Sequence, residues 1–246
     1  MHRIYLPSIE INKNILILSD SPQLHHLKDV LRIHAKEQVT FFDGKSNEYL
    51  AELQEISENG AIFTIKGTRK AANAPKYKLT IACAIPKNSK IEDIIDKLTQ
   101  LGVYKIIPLK TKRVIVKLDT NKKENRLKRW RQVAINASQQ SQRNTLPIIG
   151  PLMGFDELMR QSSEFELKMI PTLEGERKNL RELLPKTKPE TKNILVLIGP
   201  EGDFTPEEIL SAKKAGFIPV SLGKLVLRVE TAAVAVASFI KLYEND

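Results

Sequence analysis

Cysteine and long apolar runs are scarce in this chain, and each shortage excludes something. The single cysteine, Cys83, permits no internal disulfide. Its setting, Leu79-Thr80-Ile81-Ala82-Cys83-Ala84-Ile85, reads as a buried small side chain in a reducing, cytoplasmic protein. No stretch approaches the roughly 20 apolar residues a membrane span needs, and Glu10, Asn12 and Lys13 break the run that a secretory leader would require. Neither a membrane segment nor export is expected. The four histidines, His2, His25, His26 and His34, make no metal-ligand spacing with Cys83, so no metal is expected either. Missing as well are the Gly-x-Gly-x-x-Gly dinucleotide fingerprint and the Walker-type phosphate loop. No internal repeat or low-complexity tract interrupts the 246 residues, which are enough for two modest domains.

What the chain has in excess is positive charge: 39 Lys and Arg against 29 Asp and Glu, a formal net charge of +10. That balance favours a polyanionic partner, nucleic acid first, although many basic proteins bind none. Placement must decide. Lys122, Lys123, Arg126, Lys128, Arg129 and Arg131 crowd one end of a predicted helix over 121–142, whose apolar stripe is Leu127, Trp130, Ala134 and Ala137. Lys28 and Arg32 fall on an N-terminal helix, and Lys110, Lys112 and Arg113 lie just past a strand end. Taken singly such runs are solvated faces; together they suggest RNA phosphate contacts from both domains.

The N-terminal region reads as short β elements around one helical segment. Leu24, Leu27, Val30 and Leu31 fall on one helical face, and Asp43-Gly44 and Asn59-Gly60 punctuate strands at 38–42, 49–56 and 61–65 with turns expected to need positive φ. A small β-barrel is the natural closure. Lys66 to Lys78 carries too few large apolar residues for core and is expected to connect domains at 1–72 and 73–246. Beyond it strands alternate with helices, the pattern of an α/β domain with a largely parallel sheet. Ser89 and Glu92 fit a capping box, Ile91, Ile94, Ile95, Leu98 and Leu101 share a face, and Gly102 stands where that helix should end. Strands are expected at 105–109 and 165–170. Thr205-Pro206-Glu207-Glu208 starts a later helix that Gly216 closes, and Pro185 to Lys192 reads as a solvated connection.

Two loops near the C-terminus concentrate the chemistry. Gly199-Pro200-Glu201-Gly202-Asp203-Phe204 follows the strand-like Ile194–Ile198, and Leu222-Gly223-Lys224-Leu225-Val226-Leu227-Arg228-Val229-Glu230-Thr231-Ala232 follows Phe217–Ser221. Loops leaving parallel strands can face one pocket. Glu201 and Asp203 would repel a phosphate, so a cationic ligand such as the sulfonium S-adenosylmethionine suits the first loop better. The bland alternative is that Arg228 and Glu230 form a structural ion pair and that the alanine-rich stretch from Ala232 is simply core.

These loops, Leu197-Ile198-Gly199-Pro200-Glu201-Gly202 and Leu222-Gly223 with Leu225 to Ala232, resemble the signature of the SPOUT superfamily, specifically the RsmE family of small-subunit ribosomal RNA methyltransferases. His26 with Val30-Leu31-Arg32, Lys87, Lys97 to Val103, Arg129-Trp130, Ala137 to Arg143 and Leu146-Pro147 extend the likeness, in order, over nearly the whole chain. The resemblance implies a PUA-like RNA-binding β-barrel followed by an α/β domain threaded as a trefoil knot, acting as a homodimer with its site close to the subunit interface. It implies methylation of N3 of a uridine in 16S ribosomal RNA, in the small ribosomal subunit. Leu173, Ile198, Gly199, Gly202, Leu222, Gly223, Leu227 and Thr231 would then hold S-adenosylmethionine. Arg228, Glu230 and Glu201 would be catalytic, and Lys28, Arg32, Arg113, Arg126, Arg129, Asn136, Gln140 and Arg143 would contact RNA, with Asn136, Gln140 and Arg143 also near the reacting base. Four residues depart from the family pattern: Asp203 replaces a glycine, Val229 a threonine, Gln100 a glutamate and Val114 a serine. Asp203 matters most, because it brings a side chain and a charge into a loop expected to approach the cofactor. A non-catalytic RNA-binding or ribosome-assembly protein on the same scaffold, or a methyltransferase acting on another RNA, are the competing readings.

Overall fold

The computed structural model describes residues 2–19, 22–70, 77–86, 91–114, 120–173, 175–184 and 191–245, without the side chains at 120–122, 244 and 245. Lys87, Ser89, the Lys122 side chain and most of the 185–192 connection therefore lie outside the described residues. The chain separates into two compact units, Met1–Ala74 with Ser138–Leu146, and Pro75–Ala137 with Pro147–Asp246.

In the first unit β1 (His2–Tyr5), β2 (Ile11–Asn12), β3 (Ile15–Ser19), β4 (Gln38–Phe42), β5 (Asn47–Ile56) and β6 (Gly60–Lys70) form one sheet in the order β1-β4-β5-β6-β3-β2. Among the described pairings of this sheet only β1–β4 is parallel. Phe41 and Phe63 meet edge-on at 4.9 Å in a core shared with Ile4, Leu16, Leu24 and Leu27, the geometry aromatic quadrupoles prefer. The helical segment departs from expectation. A single turn, α1 (Pro22–His25), runs into a π-turn over His26–Val30 that the Leu31 amide closes on the His26 carbonyl at 3.0 Å. The wider winding breaks the face predicted from a 3.6-residue period: Leu24 and Leu27 are fully buried, Leu31 packs against the core, and Val30 is 66% exposed.

The two Gly-containing turns work differently. At Asp43-Gly44 the glycine has φ +73°, and the Asp43 carboxylate accepts from the Lys45 and Asn47 amides at 2.6 and 3.1 Å, an Asx-type closure. Gly60 has no positive φ; a Cβ there would meet the Leu18 carbonyl at 3.0 Å, so close strand approach is what demands glycine. Strand β6 also continues through Lys66–Lys70, which composition assigned to the connection, with Lys66 paired to Glu52 at 3.0 Å. Tyr77, assigned to the same connection, is buried in the second unit's core. The segment Ser138–Leu146 completes the first unit: the Ser46 amide donates to the Asn144 carbonyl and the Leu146 amide to the Gly44 carbonyl, both at 3.1 Å.

The second unit is a parallel sheet covered on both faces. Its strands are β7 (Lys78–Ala84), β8 (Lys105–Lys110), β9 (Ile148–Ile149), β10 (Met153–Gly154), β11 (Leu167–Pro171), β12 (Lys178–Asn179), β13 (Asn193–Ile198) and β14 (Ile218–Ser221). They run in the order β10-β8-β7-β13-β11-β14-β12, with β9 beside β8. Every described pairing is parallel, and β7 with β13 is in register from Lys78–Asn193 to Cys83–Ile198. The helices are α2 (Ile91–Gln100), α3 (Thr120–Gln140), α4 (Phe155–Gln161), α5 (Leu180–Leu183), α6 (Pro206–Lys214) and α7 (Val229–Asn245). One face of the sheet buries Leu79, Ile81 and Cys83 against α2 and α7, and the other buries Ala82, Leu195 and Leu197 with residues of α4 and α6. Two covered faces explain why these strands read as continuous apolar runs. No described helix is long and apolar enough to cross a membrane.

Helix boundaries follow the local signals. In α2 Ile91, Ile94, Ile95 and Leu98 are buried, and Gly102 takes φ +76° just beyond it. The expected Ser89 cap lies outside the described residues; Glu92 pairs with Arg129. In α6 the capping box is complete: Thr205 Oγ1 accepts from the Glu208 amide at 3.3 Å and Glu208 Oε2 accepts from the Thr205 amide at 2.9 Å. Thr205→Ala is expected to cost about 1 kcal/mol of stability in chemical denaturation. Glu208→Ala should cost more, because Glu208 is buried and its second oxygen also accepts from the Lys112 amide at 2.8 Å.

Candidate functional site: a cavity at the carboxyl ends of the strands

Because β11, β13 and β14 are parallel neighbours, their exits share one edge of the sheet, the edge where ligands of open α/β folds bind. The three exit loops and the start of α7 frame a cleft that opens to solvent. Of the residues expected to hold a cofactor, Leu173, Ile198, Gly199, Leu222, Gly223 and Leu227 line it. Gly202 and Thr231 are exposed and lie outside the lining. Gly223 has φ +123°, a conformation that requires glycine. A Cβ on Gly199 would lie 3.0 Å from the Phe204 ring, so this glycine permits close packing beneath the loop.

Glu201 is exposed on the cavity lining. Arg228 is exposed between two lining residues, Leu227 and Val229, and Glu230 follows half-buried on the first turn of α7. Burial first, then the charges of Glu230 and Glu201, push the Cys83 thiol far above the ordinary range.

Asp203 has φ +61°, a left-handed conformation where glycine is favoured and aspartate tolerated. Its carboxylate spans two loops. Oδ1 accepts from the Phe204 amide at 2.8 Å and Oδ2 from the Leu173 amide at 2.9 Å. Arg113 donates from Nη1 to the Gly202 carbonyl and, at 3.4 Å, to that of Asp203. The exit of β8 is thus bound to the exit of β13 by a side chain that sequence alone assigned to RNA. Sequence reasoning missed the Pro171–Arg177 stretch except Leu173. Thr172 and Arg177 line the cavity, and Arg177 Nη1 donates to the Thr172 carbonyl at 3.1 Å. The available signal was a third charged, glycine-bearing loop, Thr172-Leu173-Glu174-Gly175-Glu176-Arg177, after a strand.

The candidate RNA residues occupy both units. In the first, Lys28 is half-buried and Arg32 exposed. Gln140 is exposed, and Arg143 is half-buried, donating Nε to Thr145 Oγ1 at 3.1 Å. Burial lowers the Arg143 guanidinium to about 10, leaving it cationic at neutral pH. In the second unit α3 buries Trp130, Ala134 and Ala137 and exposes Lys123, Arg126, Lys128, Arg129 and Arg131. Arg129 makes a two-pronged pair with Glu92 at 2.7 and 2.8 Å, exposed enough to contribute little to stability. Asn136 is exposed and accepts from Gln132 at 2.9 Å.

A parallel α/β unit with an acid-edged, partly apolar cavity at its strand ends, joined to a β unit and carrying a basic helix, defines a nucleic-acid-modifying enzyme with a small-molecule site. Comparison with known proteins agrees. Residues 73–241 match the RNA methyltransferase domain family, and residues 18–66 match the RNA methyltransferase PUA domain. Ribosomal RNA small subunit methyltransferase E of Mesomycoplasma hyopneumoniae is 35% identical, over 95% of this chain and 96% of that protein. The Bacillus subtilis protein of the same name is 29% identical, over 91% and 88%. The crystal structure of ribosomal RNA small subunit methyltransferase E from Neisseria gonorrhoeae, bound to S-adenosylmethionine, superposes with a TM-score of 0.86 at 29% identity, covering 99% and 98% of the two chains. The chain belongs to the ribosomal RNA small subunit methyltransferase E family.

Burial and two nearby carboxylates should make Cys83 inert. A disulfide reagent at pH 8 is expected to label no thiol in the native protein and one per chain after denaturation; rapid native labelling would contradict this placement.

Proposed function

We propose that this protein, an S-adenosylmethionine-dependent ribosomal RNA methyltransferase by family, methylates N3 of a uridine in 16S ribosomal RNA. The observation that carries the reading is the cavity at the strand ends. Its lining fits the donor: Ile198, Leu222 and Leu227 offer apolar surface to a nucleoside, Gly199 and Gly223 let backbone approach, and Glu201 places negative charge at the edge. S-adenosylmethionine, when bound, supplies an electrophilic methyl group on a cationic sulfur. Leu173, Ile198, Gly199, Leu222, Gly223 and Leu227 would hold it, with Gly202 and Thr231 supporting from outside the lining.

The chain's own residues handle the uracil. Methylating N3 requires loss of the imide proton, and the charge left behind spreads onto the flanking carbonyl oxygens. Arg228, exposed beside the cavity, is suited to donate to those oxygens through its planar fork. Glu230, half-buried at the start of α7, or a water it orients, is suited to accept the proton, with Glu201 on the opposite loop. The uridine must be splayed out of its stack for N3 to be reached. Basic groups on each unit, Lys28 and Arg32 on one and Arg113, Arg126 and Arg129 on the other, supply phosphate contacts, with Asn136, Gln140 and Arg143 closer to the base. The homodimer and trefoil knot implied by the family resemblance belong to this proposal, as does a cytoplasmic location. Exposed Leu225 and Val226, at 80% and 72% and on the cavity lining, support a covered dimer face beside the site.

Calorimetric titration with S-adenosylmethionine tests the reading first: absence of binding would return the protein to the non-catalytic class. In Arg228→Ala, methyl transfer to small-subunit RNA is expected to fall at least ~100-fold while donor affinity changes little; full activity would remove Arg228 from the mechanism. Mass mapping of ribosomal RNA from cells with and without the protein identifies the nucleotide. RNA affinity should drop at least ~10-fold between 50 and 200 mM salt, and a flat salt response would sink the phosphate-contact model.

A further inference from the structure

We propose that Asp203 is a positioning residue whose carboxylate ties the Leu173 loop to the Gly199–Phe204 loop and thereby sets the affinity of the cavity for its methyl donor. The inference rests on the cofactor reading above and deepens it. The position needs a left-handed backbone, φ +61°, which the glycine of the family pattern would satisfy equally well. What a glycine lacks is the carboxylate, and here each oxygen has a different partner. Oδ1 closes on the next amide, Phe204, at 2.8 Å, whereas Oδ2 reaches the Leu173 amide, 30 residues away, at 2.9 Å. Both Asp203 and Leu173 line the cavity, so the bond crosses from one cavity loop to the other.

The loop carrying Asp203 is held independently of this bond. Phe204 is buried under Gly199, Arg113 grips the carbonyls of Gly202 and Asp203, and the Asp203 amide donates to the Pro200 carbonyl at 2.9 Å. Leu173 is 44% exposed, and its amide has the Asp203 carboxylate as its hydrogen-bond acceptor. Removing the carboxylate should therefore free the Leu173 side of the cavity and leave the Gly199–Phe204 loop in place. A donor then has to order that side on binding, which weakens affinity without altering the reacting groups.

Asp203→Gly keeps the backbone conformation and removes both acceptors; Asp203→Asn keeps one acceptor oxygen and guards against a folding defect in the first variant. In the protein without donor, hydrogen exchange of the peptide carrying Leu173 should accelerate ~10-fold in the glycine variant and less in the asparagine variant. The S-adenosylmethionine Kd should rise ~10-fold in Asp203→Gly, the loss of about one charge-assisted hydrogen bond, with kcat at saturating donor within about twofold of the parent. A Leu173 peptide equally protected in all three proteins would overturn the tether. Faster exchange with unchanged Kd would overturn its role in donor affinity. If the parent protein binds no S-adenosylmethionine, the cofactor reading fails, and the exchange comparison still decides the tether by itself.

Discussion

The parallel pairing of β7 with β13, in register from Lys78–Asn193 to Cys83–Ile198, is the constraint on which the rest of the second unit depends. With both faces of these strands covered, their side chains have to be apolar throughout, and polar or charged groups are displaced to the loops at the strand ends. Parallel direction sends the exits of β8, β13, β11 and β14 to one edge. Arg113, Glu201, Asp203 and Leu173 reach the same region only because the sheet order places β11 beside β13 and β8 one strand further on, beyond β7.

At that edge a few side chains each do two jobs. Glu208 closes the capping box of α6 with one oxygen and holds the Lys112 amide with the other. Asp203 closes its own turn and reaches Leu173. Arg113 satisfies loop carbonyls that would otherwise depend on water. Such sharing satisfies polar backbone where no regular ladder can, and it couples loops far apart in sequence. Burial, and after it the negative charge of Glu230 and Glu201, raises the Cys83 thiol far above its ordinary range.

Much of this was legible residue by residue. The Thr205-Pro206-Glu207-Glu208 cap, the apolar face of α2, the Trp130 stripe of α3 and the buried setting of Cys83 all depend on neighbours within a turn or on simple hydrophobic period. The two C-terminal loops announced themselves through glycine and charge after apolar strands, and most of the residues drawn from them line the cavity. Less legible were features whose partners are remote. The π-turn that exposes Val30 alters the helical period without any residue that signals it. The return of Ser138–Leu146 to the first unit rests on backbone bonds to Gly44 and Ser46, nearly a hundred residues earlier.

By itself the sequence determined the class of the longer elements, the alternation of strand and helix and the surplus of positive charge on α3, because these follow from composition and short-range spacing. Only the tertiary structure decided what Asp203 and Arg113 touch. A carboxylate in a glycine's place reads as a charge intruding on a ligand loop until the Leu173 amide, 30 residues earlier, appears at 2.9 Å from it. A basic residue past a strand end reads as an RNA contact, and only the folded chain shows that its guanidinium also holds the carbonyls of Gly202 and Asp203. The physical reason is that hydrogen-bond partners across loops are set by strand order and register, which no local pattern encodes.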